Sequence, residues 1–67
     1  ELAEKLALAI ETLSPVQRAV ITLREVEELS YKEIADVMNC NIGTVMSRLF
    51  HARLNLQKQL ADYLEGQ

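Results

Sequence analysis

The stretch from Ser30 to Val45, SYKEIADVMNCNIGTV, constrains the path of this chain more than any other. Ser30 followed three residues later by Glu33 makes a capping box. In it, the hydroxyl and the carboxylate each accept from an orphan amide at a helix start. Ile34, Ala35 and Met38 then recur on one side of a short helix. Asn39 is among the few non-glycine residues that tolerate the left-handed conformation, which ends a helix in a tight turn. Asn41 suits the N-cap of a new helix. A small residue at Ala35, a residue tolerant of positive φ at Asn39 and a branched apolar anchor at Val45 together predict a helix-turn-helix. The first helix braces the second, which crosses at the small residue and projects outward. The alternative for this spacing alone is a plain helical bundle with one tight turn.

The flanks are also helical in pattern. Leu2, Leu6, Ile10 and Leu13 recur at spacings of four and three and predict a first helix. It ends at Leu13-Ser14-Pro15, where Ser14 is a good N-cap and Pro15 suits the first position of a second helix. Val16, Val20 and Leu23 share one side of that second helix, which Glu25-Val26-Glu27-Glu28-Leu29 closes. A fourth helix is predicted from about Ile42 to Leu64, with Val45, Leu49, Ala52, Leu56 and Leu60 inward. At 1.5 Å per residue it runs roughly 34 Å, longer than the short third helix can cover. Its distal half, around Leu56, Leu60 and Tyr63, must therefore pack on the first helix or on a partner. Few glycines, one proline and abundant Ala, Leu, Ile and Val favour helix throughout. The fold class expected is all-α: a single four-helix domain over residues 1–67 containing a helix-turn-helix, with a long C-terminal recognition helix. Glu1 in place of an initiator Met leads to the expectation that these residues are a fragment of a longer protein.

Several functional classes are excluded. The lone Cys40 forms no internal disulfide, and with only His51 beside it builds no zinc site. A reduced, cytoplasmic setting follows. No apolar run approaches the roughly 18 residues of a membrane span, and no signal-peptide pattern is present. His51 has neither a nucleophile nor an orienting acid in a motif, so no catalytic residue and no cofactor are expected. The net charge of −3 hides an asymmetry. Acids crowd the first half of the chain, but none occurs from Val37 to Ala61, where Arg48, Arg53 and Lys58 fall. The acid-free stretch coincides with the proposed recognition helix, which points to nucleic acid more than the total charge does.

The segment from Leu13 to Arg53, LSPVQRAVITLREVEELSYKEIADVMNCNIGTVMSRLFHAR, resembles region 4 of bacterial RNA polymerase sigma factors of the extracytoplasmic-function group. The matching pieces are Leu13-Ser14-Pro15 with Arg18, then Leu23-Arg24-Glu25, and Leu29-Ser30-Tyr31 with Glu33-Ile34-Ala35. Gly43-Thr44-Val45 and Ser47-Arg48-Leu49 with Ala52-Arg53 complete the set. The resemblance implies recognition of the −35 promoter element by the second helix of the helix-turn-helix. It also implies docking on the flap of the RNA polymerase core β subunit, and inhibition by an anti-sigma factor.

Successive residues turn by about 100° on a helix. With Val45 and Leu49 inward, Ser47, Phe50, His51 and Leu54 face outward, with Met46 beside them and Arg48 and Arg53 on opposite flanks. Ser47 and His51 suit hydrogen bonds to base edges, whereas Arg48 and Arg53 suit phosphates. Thr44 and the amides at the helix start can meet a phosphate, and Lys32 adds a further contact. The family often carries Lys or Arg where this chain has Met46 and His51. Met46 and Phe50 offer instead an apolar contact to a thymine methyl. The DNA-binding set expected is therefore Lys32, Thr44, Met46, Ser47, Arg48, Phe50, His51 and Arg53. Met46, Phe50 and Leu54 also form an outward apolar stripe of the kind that binds a protein partner. Two alternatives stand beside promoter binding: a sigma-like module that binds a regulator, and a response-regulator output domain, against which the Leu13 to Arg18 segment argues.

Overall fold

The computed structural model describes the backbone of residues 2–65 and the side chains of residues 3–62. Four α-helices follow one another: α1 (Leu2–Glu11), α2 (Pro15–Ile21), α3 (Tyr31–Met38) and α4 (Ile42–Glu65). No strand occurs among the described residues. The local chemistry anticipated for α2 and α3 is present. The Ser14 hydroxyl accepts from the Gln17 amide at 3.2 Å, with Pro15 at the first helical position. The Ser30 hydroxyl accepts from the Glu33 amide at 3.1 Å, and the Glu33 carboxylate accepts from the Ser30 amide at 2.8 Å. The Ser30 amide on the Glu33 carboxylate, with a smaller contribution from the nearby Ser30 hydroxyl, favours the charged form and lowers the Glu33 pKa below its ordinary value.

Asn39 has φ 55° and closes α3. The Cys40 amide donates to the Ala35 carbonyl at 3.0 Å and the Asn39 amide to that of Asp36 at 3.3 Å, the paired closure of a Schellman motif. Asn41 then caps α4, its side-chain oxygen accepting from the Thr44 amide at 2.7 Å.

Two features of the first half differ from the sequence pattern. First, α2 widens into a π-helical stretch, Thr22–Val26, before it stops. The Glu27 amide reaches the Thr22 carbonyl and the Leu29 amide the Leu23 carbonyl, both at 3.0 Å. Glu28 takes φ 58°, the left-handed region, without being Gly or Asn. Arg24 locks this corner, donating to the Leu29 carbonyl at 2.8 Å while its guanidinium lies 4.8 Å from the Tyr31 ring centre. Second, the apolar stripes are offset. In α1, Ala9 and not Leu6 is buried, and Leu13 is buried in the turn after the helix. In α2, Val16 is exposed while Ile21 joins Val20 inside. The Leu2 side chain lies outside the described residues.

The core joins Leu13, Val20 and Ile21 to Ile34 and Ala35 of α3 and to Val45, Leu49 and Ala52 of α4. Ile34, Leu49, Val20 and Val45 are fully buried, and each contributes about 1.5–3 kcal/mol relative to an exposed side chain. The distal half of α4 packs back on the domain. Leu56 rests against the core, Asn55 donates to the Gln17 side chain at 3.0 Å, and the Thr12 hydroxyl donates to Gln59 at 2.6 Å. Leu60 is half-buried, and the Tyr63 side chain lies outside the described residues. Cys40 is outside any disulfide and half-buried against the core.

Candidate nucleic-acid interface

The inner face of α4 fixes which residues point away from the domain. Val45, Leu49 and Ala52 are fully buried. About half a turn away, Met46, Phe50 and Leu54 are 53%, 60% and 47% exposed. Ser47 and His51 are exposed between them. All five outward residues therefore lie where the helical spacing places them.

Two of these side chains, His51 and Phe50, are already engaged inside the domain. His51 Nδ1 lies 2.9 Å from the Ser47 carbonyl oxygen. That oxygen only accepts, so Nδ1 carries the proton and Nε2 is left for an outside partner. The Phe50 and His51 rings meet edge to face, with centres 5.4 Å apart and planes at 79°. The Thr44 amide is taken by Asn41, so the phosphate role expected of Thr44 rests on its hydroxyl. A Cβ at Gly43 would stand 3.3 Å from Asn41 Oδ1; the glycine leaves the cap its room.

The cations differ from one another. Arg48 is half-buried and its Nη1 lies 3.8 Å from the Cys40 sulfur, which ties it to the turn. Arg53 is an ion-pair partner of Glu25, Nη2 to Oε1 at 3.0 Å. That hydrogen bond is the main reason its guanidinium pKa is raised, with Tyr31 adding to it. Lys32 stands exposed on the first turn of α3.

Met46, Phe50, Leu54 and Arg53 also line a groove of about 380 Å³ with Tyr31 and Gln57. The sequence pattern singled out neither Tyr31 nor Gln57 as site residues, nor the Glu25–Arg53 pair. No local spacing links these positions, which meet only once α3 and α4 cross. Among the described residues no group of three or more His, Cys, Asp or Glu is placed to hold a metal ion. No helix there is long and apolar enough to cross a membrane.

The braced helix presents polar and apolar side chains between two arginines, and comparison with known proteins decides its lineage. The family model for sigma-70, region 4, matches residues 3–56. The chain belongs to the sigma-70 region 4 family. The match removes the response-regulator alternative. It identifies the chain as a sigma-70 region 4 domain, a DNA-binding helix-turn-helix part and not an enzyme. Among similar proteins, the ECF RNA polymerase sigma-E factor of Escherichia coli is 51% identical over 53 residues, covering 79% of this chain and 28% of that protein. The sigma-E factor of Salmonella typhi matches to the same extent. The RNA polymerase sigma-H factor of Pseudomonas aeruginosa is 49% identical over 55 residues, covering 82% of this chain and 28% of its own. This region 4 chain thus spans about 28% of the length of the curated relatives it matches.

Proposed function

We propose that this region 4 domain binds the −35 promoter element through the outer face of α4. In the same reading it acts in the cytoplasm, docked on the β-subunit flap of RNA polymerase core, and is held in check by an anti-sigma factor. The observation that carries DNA binding is the division of α4. Ser47, His51, Met46 and Phe50 are exposed opposite a fully buried stripe, in a stretch free of acids and flanked by Arg48 and Arg53. Ser47 and His51 Nε2 address base edges. Met46 and Phe50 suit thymine methyls. Arg48, Arg53, Lys32 and the Thr44 hydroxyl address phosphates, which set register and not sequence.

Three cations give a shallow dependence on salt, a slope of log affinity against log salt of about −3 at most. Contacts this few bind weakly alone. They suffice when polymerase holds the domain beside the promoter, because tethering raises the effective concentration. The test is promoter-duplex binding by the full-length factor on polymerase core at low salt, with Arg48→Ala and Arg53→Ala made together. A loss of tenfold or more, about 1.4 kcal/mol, is the expected result. Binding indifferent to both changes ends the reading.

A second reading has its own observation. The groove between Tyr31, Met46, Phe50, Leu54 and Gln57 is apolar enough to seat a protein side chain, and an anti-sigma factor there would cover the DNA face directly. The two readings share a surface and are compatible: one partner excludes the other.

A further inference from the structure

One cation of the proposed phosphate grip already holds an anion. Arg53 Nη2 lies 3.0 Å from Glu25 Oε1, and the two side chains are 43% and 55% exposed. Glu25 is not a drifting surface acid. It sits in the π-helical stretch whose end is fixed by the Glu27–Thr22 and Leu29–Leu23 backbone bonds. Its neighbour Arg24 is anchored on the Leu29 carbonyl and the Tyr31 ring. The acid-free stretch from Val37 to Ala61 supplies no carboxylate of its own, so Glu25 brings one to Arg53 from across the fold. Arg48, by contrast, rests on the Cys40 sulfur.

A carboxylate and a phosphate ask the same thing of a guanidinium, N–H donors in a planar fork. They therefore compete. An exposed pair is weak, and a DNA phosphate adds counterion release to its side of the exchange. Resting on the reading of α4 as the DNA face, we propose that Glu25 is a positioning residue. It holds Arg53 at the edge of that face and competes with the promoter backbone for it, keeping DNA affinity below what the arginines would otherwise give. Whether Arg53 stays on Glu25 or leaves it with an unpaired carboxylate beside the DNA, the net release of counterions falls by up to about one.

The test uses the full-length factor on polymerase core and a promoter duplex, titrated across salt. Glu25→Gln is expected to raise affinity about two- to fivefold at low salt, the range set by an exposed ion pair. It should steepen the salt slope by up to about 0.9. Glu27→Gln removes another exposed acid two residues away and reports the generic effect of charge; its gain is expected to be smaller. In the Arg53→Gln background the gain from Glu25→Gln should shrink to that generic level. A residue that merely braces the fold would lower both the melting temperature and DNA affinity when changed, whereas a competitor moves affinity upward whatever the melting temperature does.

The proposal is overturned if Glu25→Gln weakens binding, if it matches Glu27→Gln, or if its gain survives intact without Arg53. Failure of the underlying reading looks different. It appears as indifference of DNA binding to Arg48→Ala with Arg53→Ala while Glu25 is untouched, and it takes this proposal down with it.

Discussion

Leu49 and Phe50 are neighbours in sequence and opposites in the fold. Leu49 is fully buried between α4 and the helices beneath it, while Phe50 is 60% exposed at the lip of an open groove. The same division runs along the helix, with Val45 and Ala52 on one side and Met46 and Leu54 on the other. Apolar character alone therefore does not say what a residue on α4 is for. The inner set holds the helix against α3 and the core; the outer set is apolar without being spent on folding. A helix built this way can change its reading face freely as long as the inner stripe stays intact.

The largest expected effect follows from the inner side. Leu49→Ala removes a fully buried side chain and leaves a cavity, a loss of about 2–5 kcal/mol. A domain of this size draws only about 3–5 kcal/mol from its single core, so the variant should be largely unfolded at room temperature. Urea or thermal melts followed by far-ultraviolet circular dichroism measure this directly. A loss below about 1 kcal/mol would mean that α4 does not depend on that stripe.

A smaller effect tests the brace beneath α4. Ser30→Ala removes one half of the capping box and should cost about 1 kcal/mol. The other half, the Glu33 carboxylate on the Ser30 amide, predicts a pH dependence. The Glu33 pKa is lowered in the folded chain from an ordinary 4.5. Its contribution is therefore complete above that ordinary value and is lost as pH falls through the lowered one. Melting temperatures taken between about pH 6 and pH 3 should fall more steeply for the wild type than for Glu33→Gln. Parallel curves would show that the carboxylate does not help start α3.

How much of this was legible in the sequence is clearest in the two turns that flank α3. Both place a residue in the left-handed region, Glu28 at φ 58° and Asn39 at φ 55°. The second was readable because Asn tolerates that conformation and Ala35 and Val45 stand at the right distances from it. The first was not, because Glu carries no such signal. Its conformation is held by backbone bonds from the π-helical stretch and by Arg24 on the Leu29 carbonyl, contacts that exist only in the folded corner. The same reason separates the parts of the candidate site. Which α4 residues face outward follows from the helical period, and the structure has them there. That Arg53 would find Glu25, or that Tyr31 and Gln57 would complete a groove with Phe50, depends on the crossing of helices far apart in sequence. The offset in α1 and α2, where Ala9 and Ile21 are buried in place of Leu6 and Val16, has a similar origin. Short helices laid on the long α4 bury whichever side the crossing angle allows, and a four-residue period does not encode that angle.

The smallest expected effect on stability probes the outer side of α4. Phe50→Ala truncates a large aromatic ring, a change that costs about 3–5 kcal/mol in a core. Here the ring is mostly exposed on the wall of an open groove, and its removal widens that groove without creating a closed cavity. Stability should stay within about 0.5 kcal/mol of wild type, measured by the same melts that report on Leu49→Ala. Promoter or anti-sigma affinity, measured beside it, should fall severalfold if the ring is used on a partner. A loss of stability of 2 kcal/mol or more would place Phe50 in the core and erase the distinction between the two faces. Unchanged stability with weakened binding would show that adjacent residues on one helix serve separate ends, one holding the fold and the other meeting what the fold presents.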